Sequence, residues 1–226
     1  MPNLYNLEYY RPYWKYFRMD GVFMKKLLKR IAICFLIVVL WWLCTLLADR
    51  LTLRQGLIRF HVVANSDSTA DQAIKENVRD AVLASIQDDI RKIADIEEAK
   101  DYLTENLPKL QNLVDHTLQE LGYDGSSSIT LCKEAFDVRH YATFSLPAGV
   151  YDSLRIVIGE GMGKNWWCVS FPTLCIPATS EGFSDIAVDA GFSKPLTQAL
   201  SGNSDYEIHF YFLNQLGKLE NFFFAK

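Results

Sequence analysis

The chain has 226 residues, of which 50% are hydrophobic and 22% are charged. This composition is typical of a globular protein and excludes a disordered or collagen-like chain. Residues 1–49 carry seven Lys and Arg against three Asp and Glu, whereas residues 50–226 carry sixteen against twenty-four. Because nucleic-acid binding needs dense Lys and Arg around the phosphates, the acidic main body argues against nucleic acid as a partner. One apolar segment long enough to cross a bilayer also excludes a polytopic transporter.

That apolar segment, residues 31–48, contains eighteen residues without a charge. As a helix it would span about 27 Å, close to the thickness of the hydrocarbon core of a bilayer. Four basic residues precede it: Lys25, Lys26, Lys29 and Arg30. The positive-inside rule therefore predicts a cytoplasmic basic segment at residues 1–30, a transmembrane anchor or signal segment at 31–48, and an exported domain at 50–226.

The sequence bears on whether the apolar segment is cleaved. It is longer than the 7–15 residues usual for a signal peptide. A cut after Ala48 would place the bulky Leu46 three residues before the cut. Both observations favour a retained anchor, with a secreted, cleaved form as the alternative. Two start sites stay open, because Met24 begins an ordinary export sequence, MKKLLKR, and residues 1–23 could be untranslated.

The exported part begins with a strand pattern followed by helix patterns. Residues 54–66, RQGLIRFHVVANS, alternate in β-branched and aromatic side chains and predict a buried strand. An apolar stripe predicts a helix over residues 71–90. A second helix is expected over residues 96–107. Asn106 and Pro108 are expected to end it and to start a third helix, which continues to about residue 121.

The remainder of the chain is mostly strand-like. Residues 181–204 are polar and small, which predicts a long loop, and residues 213–224 suit a short helix. Five segments have the alternation typical of strands: residues 129–136, 139–146, 151–158, 166–171 and 206–212. This order predicts an α+β fold, with a mostly antiparallel sheet and helices packed on one face, preceded by the N-terminal transmembrane or signal helix.

The chain has five cysteines: Cys34, Cys44, Cys132, Cys168 and Cys175. The first two lie in the apolar segment and count as small hydrophobic residues. Outside the cytoplasm disulfides can form. Two alternatives stay open for the last two cysteines: a local disulfide across the turn at Phe171-Pro172, or two buried thiols.

A glycine-rich segment, GEGMGKN at residues 159–165, has some likeness to a phosphate-binding loop. Such a loop needs a glycine five residues before its Gly-Lys pair and a Ser or Thr after it. This chain has Ile158 and Asn165 at those two positions. We interpret the segment as a turn between strands and expect no cofactor there.

A cysteine nucleophile is the main enzymatic alternative. Cys168 or Cys175 could be activated by His61 or His140, provided that a base lies within hydrogen-bond reach of the sulfur. Metal-binding spacings such as CxxC and HExxH do not occur in the sequence, and the four histidines are scattered. We expect no catalytic residue and no metal site, and we keep a secreted thiol-dependent hydrolase as the alternative.

Two consecutive tryptophans, Trp166 and Trp167, follow Asn165 at the end of the glycine-rich segment. Neighbouring side chains in a strand point to opposite faces of the sheet. One indole is therefore expected in the core and the other exposed, where it could anchor a partner. The alternative is that both are buried.

Two long strings in the sequence closely resemble the stage II sporulation protein R family of endospore-forming bacteria. They are LIRFHVVANSDSTADQAIKENVRDAVL at residues 57–83 and YDSLRIVIGEGMGKNWWCVSFPTLC at residues 151–175. The resemblance covers most of residues 55–176. The region after about residue 180 matches only loosely, and the extension before Met24 departs from the family pattern.

The resemblance implies an exported signalling protein without catalytic residues. Such a protein acts between forespore and mother cell, where it triggers a membrane-embedded aspartic protease that processes pro-sigma factor E. A cell-wall-associated binding domain is a further alternative, because exposed indoles can stack on sugars. We expect the contact surface for the protease to draw on six residues, chosen by side-chain type and motif position: His61, Asn65, Asp67, Asn165, Trp166 and Trp167.

Overall fold

A computed structural model describes residues 21–172 and 183–224, with side chains from residue 23 onward. The chain forms two compact units that divide after Thr45. The first helix, α1 (Gly21–Gly56), is longer than the predicted apolar segment.

Helix α1 has the properties of a membrane span. Among the described residues, Phe23–Gly56 is the one stretch long and apolar enough to cross a bilayer. Its large apolar side chains are exposed, Phe35 and Trp41 by about 70% each. A core helix of a soluble protein would bury such side chains, so α1 fits a single-pass anchor or a signal segment. Its last turns belong to the second unit, where Leu46 and Leu53 are buried.

The second unit is built on a four-stranded sheet with the strand order β2-β5-β1-β6. The pairs β2·β5 and β1·β6 are antiparallel, and β1·β5 is parallel. Strands β3 and β4 form a separate two-stranded hairpin. The strands in the described part of the chain are β1 (Ile58–Val63), β2 (Ser127–Phe136), β3 (Arg139–His140), β4 (Ser145–Leu146), β5 (Gly149–Ile158) and β6 (Asn165–Phe171).

Within the described residues, five further α-helices accompany the sheet: α2 (Thr69–Ile90), α3 (Ile96–Glu120), α4 (Phe183–Asp189), α5 (Lys194–Leu200) and α6 (Glu207–Phe224). The Ser68 hydroxyl caps α2 by accepting a hydrogen bond from the Asp71 amide at 3.0 Å, and the Asp95 carboxylate caps α3. Helices and a mixed sheet together confirm the predicted α+β class. Two of the three sheet pairings are antiparallel, as predicted.

The main core lies between one face of the sheet and helices α2 and α3. Ile58, Phe60 and Val62 of β1 point into it, because alternate residues of a strand share a face. The apolar stripe of α2 and the inner face of α3 supply the rest of the packing. All six residues of β1 are buried, because it is an inner strand with neighbours on both sides. The side chains of Arg59 and His61 therefore lie on the other face.

The predicted break at Pro108 is wrong. Helix α3 continues through Pro108, whose side chain is exposed. Proline removes one backbone hydrogen bond from a helix interior. Leu103 and Leu110, on either side of it, are buried against the sheet and α2, and this packing keeps the two halves in one helix.

The end of the chain also differs from the predictions. The segment at residues 181–204 was expected to be a loop, but it contains helices α4 and α5. Its first two residues, 181–182, lie outside the described residues. The strand predicted at residues 206–212 is instead the beginning of α6. Its sequence, YEIHFYF, alternates like a strand, but the apolar pattern continues at helical spacing to Phe224. The strand predicted at residues 139–146 is shortened to the hairpin of β3 and β4.

Candidate partner-contact site

Two loops meet at one edge of the sheet, and we call residues 64–68 and 159–164 together the loop pair. The first loop follows β1 and the second joins β5 to β6. They meet because β1 and β5 are parallel, so that both strands end at the same edge. Backbone hydrogen bonds join the loops, from the Met162 amide to the Asn65 carbonyl at 3.0 Å and from the Gly163 amide to the Ala64 carbonyl at 2.9 Å.

Asn65 connects the loop pair to the first turn of α2. Its side-chain oxygen accepts a hydrogen bond from the Glu160 amide at 3.1 Å, and its side-chain nitrogen donates to the Asp71 carboxylate at 3.0 Å. The Ser66 hydroxyl donates to the same carboxylate. These hydrogen bonds, from Ser66 first and then Asn65, hold the pKa of Asp71 below its ordinary value.

A second connection involves Asp67 and Lys75. The Asp67 carboxylate accepts a hydrogen bond from the Lys164 amide at 2.6 Å. The Lys75 ammonium lies beneath the loop pair and donates to the Gln72 side chain at 2.6 Å and to the Lys164 carbonyl at 3.4 Å. Burial lowers the pKa of Lys75. Both loops are thus fixed by polar contacts to α2.

The glycines of the second loop are required by this close approach. Gly159 has a φ of +58°, and a Cβ there would overlap the side chains of Asn65 and Tyr123. A Cβ at Gly163 would overlap the carbonyl of Ser66. The segment is a turn between β5 and β6, as the sequence predicts.

The two indoles lie on opposite faces of the sheet, as their consecutive positions predict. Trp166 lies on the helix side, where its ring centroid is 5.7 Å from that of Phe60 and the Arg79 guanidinium lies over it at 5.1 Å. Trp167 lies on the other face and stacks on His61 at 3.5 Å, with Arg139 over it at 4.6 Å. Both indoles are half-buried. Each indole is therefore neither fully in the core nor fully exposed.

His61 lies behind Trp167 and is 3% exposed. Its Nδ1 is 3.0 Å from both oxygens of the Glu134 carboxylate. Burial raises the pKa of Glu134, but hydrogen bonding and charge from His61 lower it, as do Ser153 and Arg155 to a smaller extent. The net result is a pKa below the ordinary value of a glutamate. His61 therefore supports the position of Trp167 and contributes almost no surface of its own.

The cysteine and histidine proposed for thiol catalysis do not meet on β1 and β6. Cys168 is opposite Phe60 and lies in the helix-side core, whereas His61 is on the other face. His140 is exposed, with its Nδ1 2.8 Å from the Ser145 hydroxyl. Cys168 is disulfide-bonded. Cys175 lies outside the described residues, so its pairing with Cys168 stays a prediction.

Residues 21–172 and 183–224 contain no group of three or more His, Cys, Asp or Glu side chains able to hold a metal ion. Two acidic side chains near the loop pair, Asp67 and Asp71, are hydrogen-bonded to the protein itself. Asp71 accepts hydrogen bonds from Asn65 and Ser66, and Asp67 accepts one from the Lys164 amide.

The accessible surface of the loop pair includes a residue that the sequence analysis did not select. Met162, at the tip of the second loop, is 78% exposed. Asp67, Lys164 and Asn165 are exposed beside it, and Trp166 adds a half-buried ring. Met162 could have been identified from the sequence, because it is a large apolar residue between two glycines of a polar loop. Most large apolar residues are buried, so one in a loop that is expected at the surface is unusual. The structure thus brings Asn65, Asp67 and Asn165 together and separates His61 and Trp167 from them.

Comparison with known proteins identifies the family of this chain. The family model for stage II sporulation protein R matches residues 54–181. The stage II sporulation protein R of Bacillus subtilis (strain 168) is 38% identical over 125 residues, which cover 55% of this chain and 56% of that protein. The chain thus matches about half the length of this curated relative. No solved structure matches the chain. The matched residues include the whole loop pair and both indoles, and the chain belongs to the stage II sporulation protein R family.

Proposed function

We propose that this chain is an exported signalling protein of sporulation that activates a membrane-embedded aspartic protease, which then processes pro-sigma factor E in the mother cell. Family membership supports the role in sporulation. The length and apolar character of α1, with the basic residues before it, support export of the following domain. The domain would act in the space between forespore and mother cell.

The activity proposed for the domain is binding, not catalysis. A ligand activates an enzyme when it binds the active state more tightly than the inactive state. This requires a fixed surface and no reacting group. The observation that carries the proposal is the loop pair itself, which lies within the family match and is held by the hydrogen bonds of Asn65 and Asp67. It presents Met162 beside a polar rim, which is the composition of a protein-binding surface.

The proposal is tested by co-expression of this chain with the protease and pro-sigma factor E. We expect the processed sigma factor to appear only when all three proteins are present and the protease is active. Processing that does not depend on this chain, or that persists with an inactive protease, would contradict the proposal. A Cys168→Ser, Cys175→Ser double variant that folds should still support processing, which a thiol hydrolase would not.

The contact surface is tested in the same assay with charge substitutions. Met162→Asp should reduce processing strongly, because it places a charge at the most exposed apolar position of the loop pair. Val188→Asp is the matched control, since Val188 is an exposed apolar residue on α4, outside the matched region. Equal processing by the two variants would show that the loop pair does not contact the protease.

The variants Trp166→Ala and Trp167→Ala distinguish an indole that contacts the protease from one that only stabilises the fold. Each indole is half-buried, and each is covered on one side by an arginine. If Trp166 contacts the protease, its variant should lose processing at unchanged secretion and thermal stability. Loss of processing only together with loss of stability would assign the indoles a structural role.

A further inference from the structure

Helix α6 presents an exposed apolar surface, which we call the α6 stripe. It consists of Ile208, Tyr211, Leu219 and Phe223, which are exposed by 70%, 57%, 54% and 66%. Their spacing of three, eight and four residues places them on one face of the helix. Several large apolar side chains exposed on one face of a helix mark a contact surface.

The opposite face of α6 is fixed to the sheet. Leu213 and Gly217 are buried, and a Cβ at Gly217 would overlap the carbonyl of Ala148 just before β5. The Asn214 side chain accepts a hydrogen bond from the Ala148 amide at 3.0 Å, and the Asn221 side chain donates to the Phe136 carbonyl at 2.8 Å. These contacts set the rotation of α6, so the α6 stripe faces away from the sheet.

Helix α6 is also paired with the residues that follow the apolar segment of α1. The Nε2 of His209 is 2.8 Å from the Asp49 carboxylate. The Glu220 carboxylate is paired with Arg50 and, at 3.3 Å, with Arg54. Asp49 is the first charged residue after the apolar segment. Three charged residues of α1's last turns, Asp49, Arg50 and Arg54, all outside the apolar segment, therefore hold α6.

These contacts also determine the direction of α6. His209 and Glu220 are about 16 Å apart along α6, at a rise of 1.5 Å per residue. Their partners on α1 lie within residues 49–54, a stretch of about 8 Å along that helix. Helix α6 therefore crosses the end of α1 and does not run alongside it. The three partners of α6 lie in the stretch that directly follows the apolar segment in the sequence.

We propose that the α6 stripe is seated in the interface of the membrane that α1 spans. Aromatic and aliphatic side chains on one face of a helix that lies along the bilayer surface are typical of interfacial helices, and Tyr and Phe suit the headgroup boundary. The position of α6 at the first charged residues after the apolar segment favours lipid over a second copy of the chain or a soluble partner. Two attachments, α1 and the α6 stripe, then fix the orientation of the domain, and the proposal requires that α1 is retained.

The experiment uses the full chain in vesicles of phosphatidylethanolamine and phosphatidylglycerol. Photoreactive benzoylphenylalanine replaces Tyr211 or Phe223, and in a control variant it replaces His116, an exposed residue of α3. After irradiation, mass spectrometry distinguishes a lipid adduct from a covalent dimer. We expect lipid adducts at Tyr211 and Phe223 and only background at His116.

A second measurement avoids substitution. A lipid-soluble carbene reagent is photolysed in vesicles that carry the unmodified chain, and the labelled peptides are mapped. Labelling of both α1 and α6 supports the proposal. Labelling of α1 without α6 would overturn it, as would covalent dimers at Tyr211 and Phe223 in place of lipid adducts.

Discussion

At the scale of single residues, the side chains that carry the family motif have two different roles. Asn65 and Asp67 use their side chains to fix the loop pair, through the amides of Glu160 and Lys164. Met162 and Asn165 are exposed on the surface that results. Motif position alone did not separate these roles, because a polar side chain that holds a loop and one that contacts a partner are the same residue type.

Asn65→Ala should destabilise the domain. The substitution removes the hydrogen bonds that Asn65 makes to the Glu160 amide and the Asp71 carboxylate, so each of these groups loses one hydrogen-bond partner. We expect a loss of about 1–3 kcal/mol in the free energy of unfolding, measured with the detergent-solubilised chain. Asn77→Ala is the matched control, since Asn77 is exposed and bonds only the carbonyl of Ala73 one turn away. Equal stability of the two variants would contradict the role given to Asn65.

The contribution of Asp71 should depend on pH. Hydrogen bonds from Ser66 and Asn65 lower the pKa of Asp71 from its ordinary value of 3.8. A group with a lowered folded pKa stabilises the fold fully above its unfolded pKa, and this stabilisation is lost as the pH falls through the folded pKa. Asp71→Asn should therefore lower the melting temperature at pH 7, and the difference from the original chain should shrink below about pH 4. Asp101→Asn, on the exposed face of α3, should give no such pattern.

At the scale of elements, the sequence was most informative where one period dominated. Helix α2 follows its predicted bounds closely, because a capped apolar stripe leaves one interpretation. Strand β1 lies inside the predicted segment 54–66 but is shorter, since residues 54–56 end helix α1. The order of the strands in the sheet could not be predicted from the same patterns. The parallel pairing of β1 with β5 depends on contacts about a hundred residues apart in the chain.

Helix α6 shows why the end of the chain was misassigned. Apolar residues lie on both of its faces: Leu213 packs against the sheet, and the α6 stripe is exposed. A helix with two apolar faces loses the single stripe that identifies an amphipathic helix. Over the seven residues YEIHFYF the remaining pattern fits a strand equally well. The misassignment thus reflects the same exposed surface from which the membrane contact is inferred.

Pro108→Ala should stabilise the chain. Pro108 is exposed inside α3 and supplies no amide for the helix, whereas alanine restores the hydrogen bond at no cost in packing. We expect the free energy of unfolding to rise by about 1–3 kcal/mol. Lys109→Ala, at the next exposed position, should change it by less than about 0.5 kcal/mol. A lower stability of the Pro108 variant would mean that the proline is needed for a bend in α3.

At the scale of the whole molecule, the chain combines an N-terminal helix that fits a membrane anchor or signal segment with an α+β domain that we propose is exported. An N-terminal apolar helix with exposed side chains was predictable from composition, although α1 extends beyond the predicted segment at both ends. The site was predictable only in part. The sequence identified the segments that form the loop pair, but the burial of His61 could not be derived without knowledge of the side chains that pack around it.

The central claim is that the domain signals by contact from outside the cytoplasm. Reversing the orientation of α1 in the membrane tests this claim most directly. The variant carries Lys25→Glu, Lys26→Glu, Lys29→Glu and Arg30→Glu, while Arg50 and Arg54 stay on the other side of the apolar segment. Protease protection reports the side on which the domain lies, and immunoblotting reports processing of pro-sigma factor E in the co-expression assay. We predict processing with the original chain and none with the domain held in the cytoplasm. Undiminished processing by the inverted chain would contradict the account.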